Sequence, residues 1–207
     1  MEKHKIKIYL FLVLTFSIQN SFGDVIVSKD IFKEVSFSDE YSDSGALIKN
    51  INFSPVNKII PQLEKEFKNL LKGRDLKDRS EAHITIITPP EGKTNFIPKT
   101  LGIDSVLPTK EMIKMFKESI QKADFEIKCV GMQKNDKGNI VFYLVVESED
   151  IINIRKKIYE IVKNENSKIP FKPTKNYYPH ITIGFIGGDV HGVSKGSDTC
   201  VADVTLK

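Results

Sequence analysis

The stretches EAHITIITPP (residues 81–90) and YYPHITIGFIGG (residues 177–188) share the tetrapeptide His-Ile-Thr-Ile, beginning at His83 and at His180. The chain holds four histidines, so half of them open the same four letters. Ile84 to Thr88 are all β-branched and the run halts at Pro89-Pro90, which marks a buried strand. The second copy runs into Gly187-Gly188. Strand side chains alternate faces with period two. His83 and Thr85 therefore share one face and Ile84 and Ile86 the other, as do His180 and Thr182 against Ile181 and Ile183. Each strand is expected to bury isoleucines behind and present an imidazole and a hydroxyl in front.

Working outward, each copy follows a helical pattern. In SPVNKIIPQLEKEFKNLLKG (residues 54–73), Val56, Ile59, Ile60, Leu63, Phe67, Leu70 and Leu71 fall on one face, with Gly73 placed to end the helix. A second helix is expected from about Thr109 and a third over residues 149–166. DFEIKCVGMQK and NIVFYLVVES read as two strands around an Asn135-Asp136-Lys137-Gly138 turn. ALIKNINF reads as a short extended stretch, and DTCVADVTLK closes the chain as an edge strand. Helix followed by His-Ile-Thr-Ile strand thus occurs once in each half, with no low-complexity linker between. This predicts an α+β fold of two related lobes, with two facing antiparallel sheets, outer helices and a central cleft that receives both strands.

The 207 residues suffice for one such domain, and 40% hydrophobic against 28% charged residues excludes a disordered or collagen-like chain. Cys129 and Cys200 are too few for a disulfide framework or a Cys-based zinc site; one bridge forms only if the fold brings their strands together. At the N-terminus, Lys3, Lys5 and Lys7 precede an apolar run from Ile8 to Ile18 and then Ser21-Phe22-Gly23. That order predicts a signal peptide over residues 1–23, a single domain over 24–207, a secreted protein and no membrane attachment after cleavage. The apolar run is shorter than the roughly 20 residues a spanning helix needs. Of the formal charge of +4, the first 23 residues, with three Lys and one Glu, account for half. A mildly basic remainder argues against stable binding of duplex nucleic acid and suits a small anionic substrate.

Two histidines on either side of a substrate suit acid–base catalysis, because an imidazole changes charge near neutral pH. A phosphodiester needs that pairing: one imidazole takes a proton from the attacking hydroxyl or water, the other protonates the departing oxygen. The threonine hydroxyls would donate to the non-bridging oxygens. The scheme needs no metal or other cofactor, and the sequence offers no carboxylate cluster to hold one.

Two His-x-Thr-x strands about a hundred residues apart resemble the two-histidine (2H) phosphoesterase superfamily. The flanks RSEAHITIITPPE, YPHITIGF and DVHGVSKG are most similar to its Swiss Army Knife RNA-repair-like branch. The resemblance implies a bilobal, pseudo-symmetric fold and metal-independent chemistry on 2′,3′-cyclic phosphates, 2′,5′ linkages or related cyclic nucleotides. It carries catalytic roles to His83 and His180 and phosphate-binding roles to Thr85 and Thr182.

Neighbouring residues add candidates. GGDVHGVSKGSD holds His191, Ser194 and Lys195 among four glycines, so backbone and side chains can approach a phosphate. Lys195 would neutralise phosphate charge and His191 face the base or ribose. Tyr178, or its neighbour Tyr177, is placed to stack on a nucleobase. Arg79, Lys172 and Lys175 are weaker phosphate candidates, more simply read as solvated charges. The leading expectation is a secreted, monomeric phosphodiesterase of small nucleotides or oligonucleotides, including cyclic dinucleotides or 2′,5′-oligoadenylates. The alternative is a secreted module that sequesters a cyclic nucleotide or a partner without cleaving it. A metal-dependent hydrolase built on His83, His180 and His191 lacks the usual carboxylate or Cys ligands.

Overall fold

IVFYLVVE, residues 140–147, carries no charge before Glu147, and the strand it forms is buried on both faces. It lies in the middle of the sheet that organises the chain. The structure, a computed structural model, describes residues 22–38, 44–95, 107–165 and 172–207. Most of the expected signal peptide, residues 1–21, lies outside them. Seven strands, β1 (Phe22–Val27), β2 (Leu47–Ile51), β3 (Ala82–Ile87), β4 (Glu126–Lys134), β5 (Ile140–Glu147), β6 (His180–Ile186) and β7 (Cys200–Leu206), are joined in the order β1-β7-β4-β5-β6-β3-β2. Only the β1–β7 pair is parallel.

This is an α+β fold with one mixed sheet, where the sequence suggested two sheets facing each other. The reason lies at the junction of the two halves. β3 and β6 pair directly, through Ile84 opposite Ile181, so the repeated strands run side by side instead of meeting across a gap. The terminal strand is likewise not an edge. Its outer side is taken by β1, with Val25, Ile26 and Val27 opposite Val204, Thr205 and Leu206. A cut after Gly23 would remove the Phe22–Ala202 pair and leave those three.

The helices, α1 (Phe53–Asn57), α2 (Ile60–Glu66), α3 (Lys68–Leu71), α4 (Pro89–Asn95), α5 (Leu107–Lys122) and α6 (Glu149–Glu165), include three where one was expected. Pro61 explains the first break, because it has no N–H to offer the carbonyl of Asn57. The apolar face survives: Val56, Ile59, Leu63, Phe67 and Leu71 are all buried. Together with Ile151, Ile154 and Ile158 of α6 and the inward residues of β3, β5 and β6, they form the main core. None of the described helices is long and apolar enough to cross a membrane.

Arg155 lies fully buried on the same side of α6. An unpaired buried guanidinium would be costly, and this one is satisfied. It pairs with Glu91 at 2.9 Å and donates to the carbonyls of Pro173 at 2.7 Å, Lys172 at 3.2 Å and Ile86. The end of β3, α4 and the approach to β6 are thereby tied to one side chain.

The opposite face of β5 has its own small core of Cys129, Val141, Tyr143, Val145 and Val190. Val190 belongs to the segment 187–199, which folds back over this face. A disulfide between Cys129 and Cys200, with Cα atoms 5.8 Å apart, joins β4 to the start of β7 where that segment ends. The bridge left open by the sequence is formed.

Candidate active site

The isoleucines of both repeated strands point into the main core: Ile84, Ile86, Ile181 and Ile183 are at most 1% exposed. His83, Thr85, His180 and Thr182 are half-buried on the other face. The Ile84–Ile181 pair joins the central residues of the two His-x-Thr motifs. In an antiparallel pair, one step either way sets His83 across from Thr182 and Thr85 across from His180. The motifs are therefore related by a local two-fold axis, with the imidazoles on one diagonal. Diagonal neighbours in such a pair stand about 7–8 Å apart, so the two imidazoles rise from one small patch of the sheet face.

Each imidazole is oriented through Nδ1 by a group two residues earlier. For His83 the partner is the Glu81 carboxylate, 2.6 Å from Nδ1. For His180 it is the carbonyl of Tyr178, at 2.7 Å. Carbonyls and carboxylates only accept, so both rings carry their hydrogen on Nδ1. Nε2 of His180 then accepts from the ammonium of Lys195, at 3.1 Å. Burial, and after it the charge of Lys195, push the His180 imidazole down to about 3, against the weaker opposing pull of its backbone hydrogen bond and of Asp189. His180 is neutral at physiological pH.

Lys195 is 5% exposed. Its Nζ lies 3.3 Å from Asp189 and 5.4 Å from the centre of the Tyr143 ring. Burial holds the ammonium below its usual value, against the attraction of Asp189. Asp189 also receives the guanidinium of Arg79. Burial works to raise the Asp189 carboxyl, but Lys195 and Arg79 outweigh it and keep it below the ordinary carboxylate range. Two cations on one carboxylate leave positive charge on the His180 side of the pair, while the Glu81 carboxylate stands on the His83 side. Nε of Arg79 is buried and has no hydrogen-bond partner.

Tyr143 underlies this cluster. Its ring meets that of His180 edge-on at 5.5 Å, and its hydroxyl donates to Thr199 at 2.7 Å. Burial lifts that phenol to about 12, so it stays protonated. Gly131 lies opposite on β4, where a Cβ would come within 2.4 Å of the ring. The segment carrying Lys195 is further pinned by Gln133, which donates to the carbonyl of Ser194 at 2.9 Å.

His83, His180, Thr85, Thr182 and Lys195 thus share one region. Tyr178 lends its carbonyl to His180 and keeps its ring 37% exposed beside Gly196. His191 stands apart: its side chain is 77% exposed and approaches Asp189 at 4.0 Å. Tyr177 is a structural residue, donating to the carbonyl of Thr85 at 2.7 Å beneath the guanidinium of Arg155. Lys172 and Lys175 are exposed, as the simpler reading held. Arg79, read as a solvated charge, is instead paired with Asp189. No three His, Cys, Asp or Glu among the described residues converge as metal ligands.

Sequence reasoning passed over Asp189, Tyr143 and the role of Glu81. The last was legible, since a residue two before His83 shares its face in an extended chain. The Arg79–Asp189 pair spans 110 residues and has no local signature.

Residues 53–191 match the family model of the Swiss Army Knife, 2H phosphoesterase domain. No curated protein and no solved structure matches the chain.

Proposed function

The chain belongs to the Swiss Army Knife 2H phosphoesterases, a family whose activity is of the phosphodiesterase type, and from that premise we propose an exported, metal-independent phosphodiesterase. Its substrates are 2′,5′-linked or 2′,3′-cyclic phosphodiesters of small nucleotides or oligonucleotides. The observation that carries the reading is the Ile84–Ile181 register, which sets two His-x-Thr motifs in two-fold relation on one sheet face.

In this scheme the phosphate lies between the imidazoles. One Nε2 takes a proton from water or a ribose hydroxyl, and the other gives one to the oxygen that leaves. Thr85 and Thr182 donate to the non-bridging oxygens, while Lys195 and Arg79 offset their charge as it redistributes. Tyr178 and His191, exposed at the rim, receive the nucleobase and ribose.

The test is incubation with 2′,3′-cyclic nucleotides, 2′,5′-linked oligoadenylates, cyclic dinucleotides and 3′,5′-linked controls, with products identified by mass. Hydrolysis of a 2′,5′ or 2′,3′-cyclic substrate should survive a chelator and fall by about 100-fold or more in His83→Ala or His180→Ala. Undiminished hydrolysis in the double variant would reject the assignment. Tight binding without product would favour a nucleotide-sequestering module.

A further inference from the structure

The two-fold axis relating the motifs does not extend to their surroundings. At the Nδ1 side His83 meets a carboxylate and His180 a backbone carbonyl. At the Nε2 side His180 meets the ammonium of Lys195, which is itself docked on Asp189. The segment carrying Lys195 follows the second motif.

We infer that Glu81 commits His83 to the role of general acid, and that Lys195, held by Asp189, commits His180 to that of general base. This rests on the phosphodiesterase reading above and adds to it the direction of proton flow and a positioning residue, Glu81. The groups that decide it are Glu81 beside His83; Lys195, Asp189 and the Tyr143 ring beside His180; and each imidazole across the seam from the other. An imidazolium at His83 faces a carboxylate, whereas one at His180 faces an ammonium. Of two rings that must share one proton, His83 is the one to hold it.

The arrangement also accounts for how His180 becomes an effective base. Lys195 has three hydrogens to donate and spends two, on Asp189 and His180. A diester binding over the two histidines offers anionic oxygens as stronger acceptors. Transfer of the His180-directed hydrogen bond to the phosphate frees the Nε2 lone pair and withdraws a cation from the ring as it takes a proton. Nε2 of His180 then removes the proton of the attacking water or hydroxyl, whose oxygen bonds to phosphorus. The bond from phosphorus to the leaving ribose oxygen breaks, and His83 passes its Nε2 proton to that oxygen. The pair gains one proton and loses one, and exchange with solvent restores the starting state.

Two substrates test the assignment: a nucleotide diester with a ribose leaving group, and the same nucleotide esterified to p-nitrophenol, whose oxygen departs as an anion without a proton. On the ribose substrate His83→Ala should lose about 100-fold or more, and on the nitrophenyl substrate most of that loss should disappear. Glu81→Gln, which conserves shape, should show the same selective loss, with activity partly restored in Glu81→Asp. His180→Ala should be impaired equally on both. Rescue of His180→Ala in place of His83→Ala, or equal losses on both substrates for every variant, would overturn the assignment while leaving the phosphodiesterase reading intact. A wild-type protein that hydrolyses neither substrate would overturn both.

Discussion

The neutral state of His180 ties the chemistry of the site to the stability of the whole chain. In the folded protein this imidazole is pushed down to about 3, whereas in the unfolded chain it titrates near 6.5. Between those values the unfolded chain binds a proton that the folded one refuses, so stability falls as pH falls. Each pH unit inside the window is worth about 1.4 kcal/mol. From pH 7.5 to 4.5 His180 alone should remove about 2.5 kcal/mol, a large share of the roughly 5–15 kcal/mol that holds a domain together. The lowered Asp189 carboxyl acts in the same direction but mainly below this range. Urea unfolding followed by circular dichroism at the two pH values, for the wild-type protein and for His180→Gln, isolates the effect. Contributions from other titrating groups are common to both proteins, so the difference of differences belongs to His180. The variant should lose about 2.5 kcal/mol less than the wild type on acidification. Identical pH dependence in both would refute the reasoning, since His180 would then be as free to charge in the folded state as in the unfolded one.

Two further outcomes follow from the face that carries Lys195. Replacing both Cys129 and Cys200 with Ser removes a cross-link spanning 71 residues, worth about 4 kcal/mol in the chain-entropy account of disulfides; it should lower the urea midpoint, and activity should fall in step as the end of the segment loosens. Gly131→Ala sets a methyl against the Tyr143 ring and should cost about 1–3 kcal/mol, measurable by thermal unfolding, with a loss of kcat larger than a neutral change elsewhere on β4 produces.

Much of this was legible because strand periodicity is local. The face of each His-x-Thr motif follows from alternation alone, and the isoleucines behind are buried as that alternation requires. The apolar stripe from Val56 to Leu71 was equally plain, although the chain breaks it into three helices at Pro61 and again at Phe67. What sequence could not give was the pairing of distant segments. A helix-then-strand unit in each half fits two facing sheets as well as one continuous sheet, and only the Ile84–Ile181 contact decides between them. β7 looked like an edge because its alternation is that of a half-exposed strand; the strand that covers it, β1, comes from the other end of the described chain. Asp189 was hidden for the same reason, since its meaning comes from Arg79 across the seam.

Identical tetrapeptides in two-fold relation would, left alone, make identical imidazoles, and a symmetric pair has no reason to move a proton in one direction. Acid–base catalysis of a phosphodiester needs the opposite: one ring charged, one neutral, on either side of phosphorus. The chain breaks its own symmetry at two places outside the motif. At the second residue before each histidine, a side-chain carboxylate in one half corresponds to a bare carbonyl in the other. After the second motif, a segment held by Val190, Gln133 and the disulfide brings in an ammonium. In the proposed reaction the repeated strands set where the two nitrogens stand, and the unrepeated residues set which of them gives up the proton. On this account, exchanging the tetrapeptides would change nothing, while moving Glu81 or Lys195 would alter the chemistry.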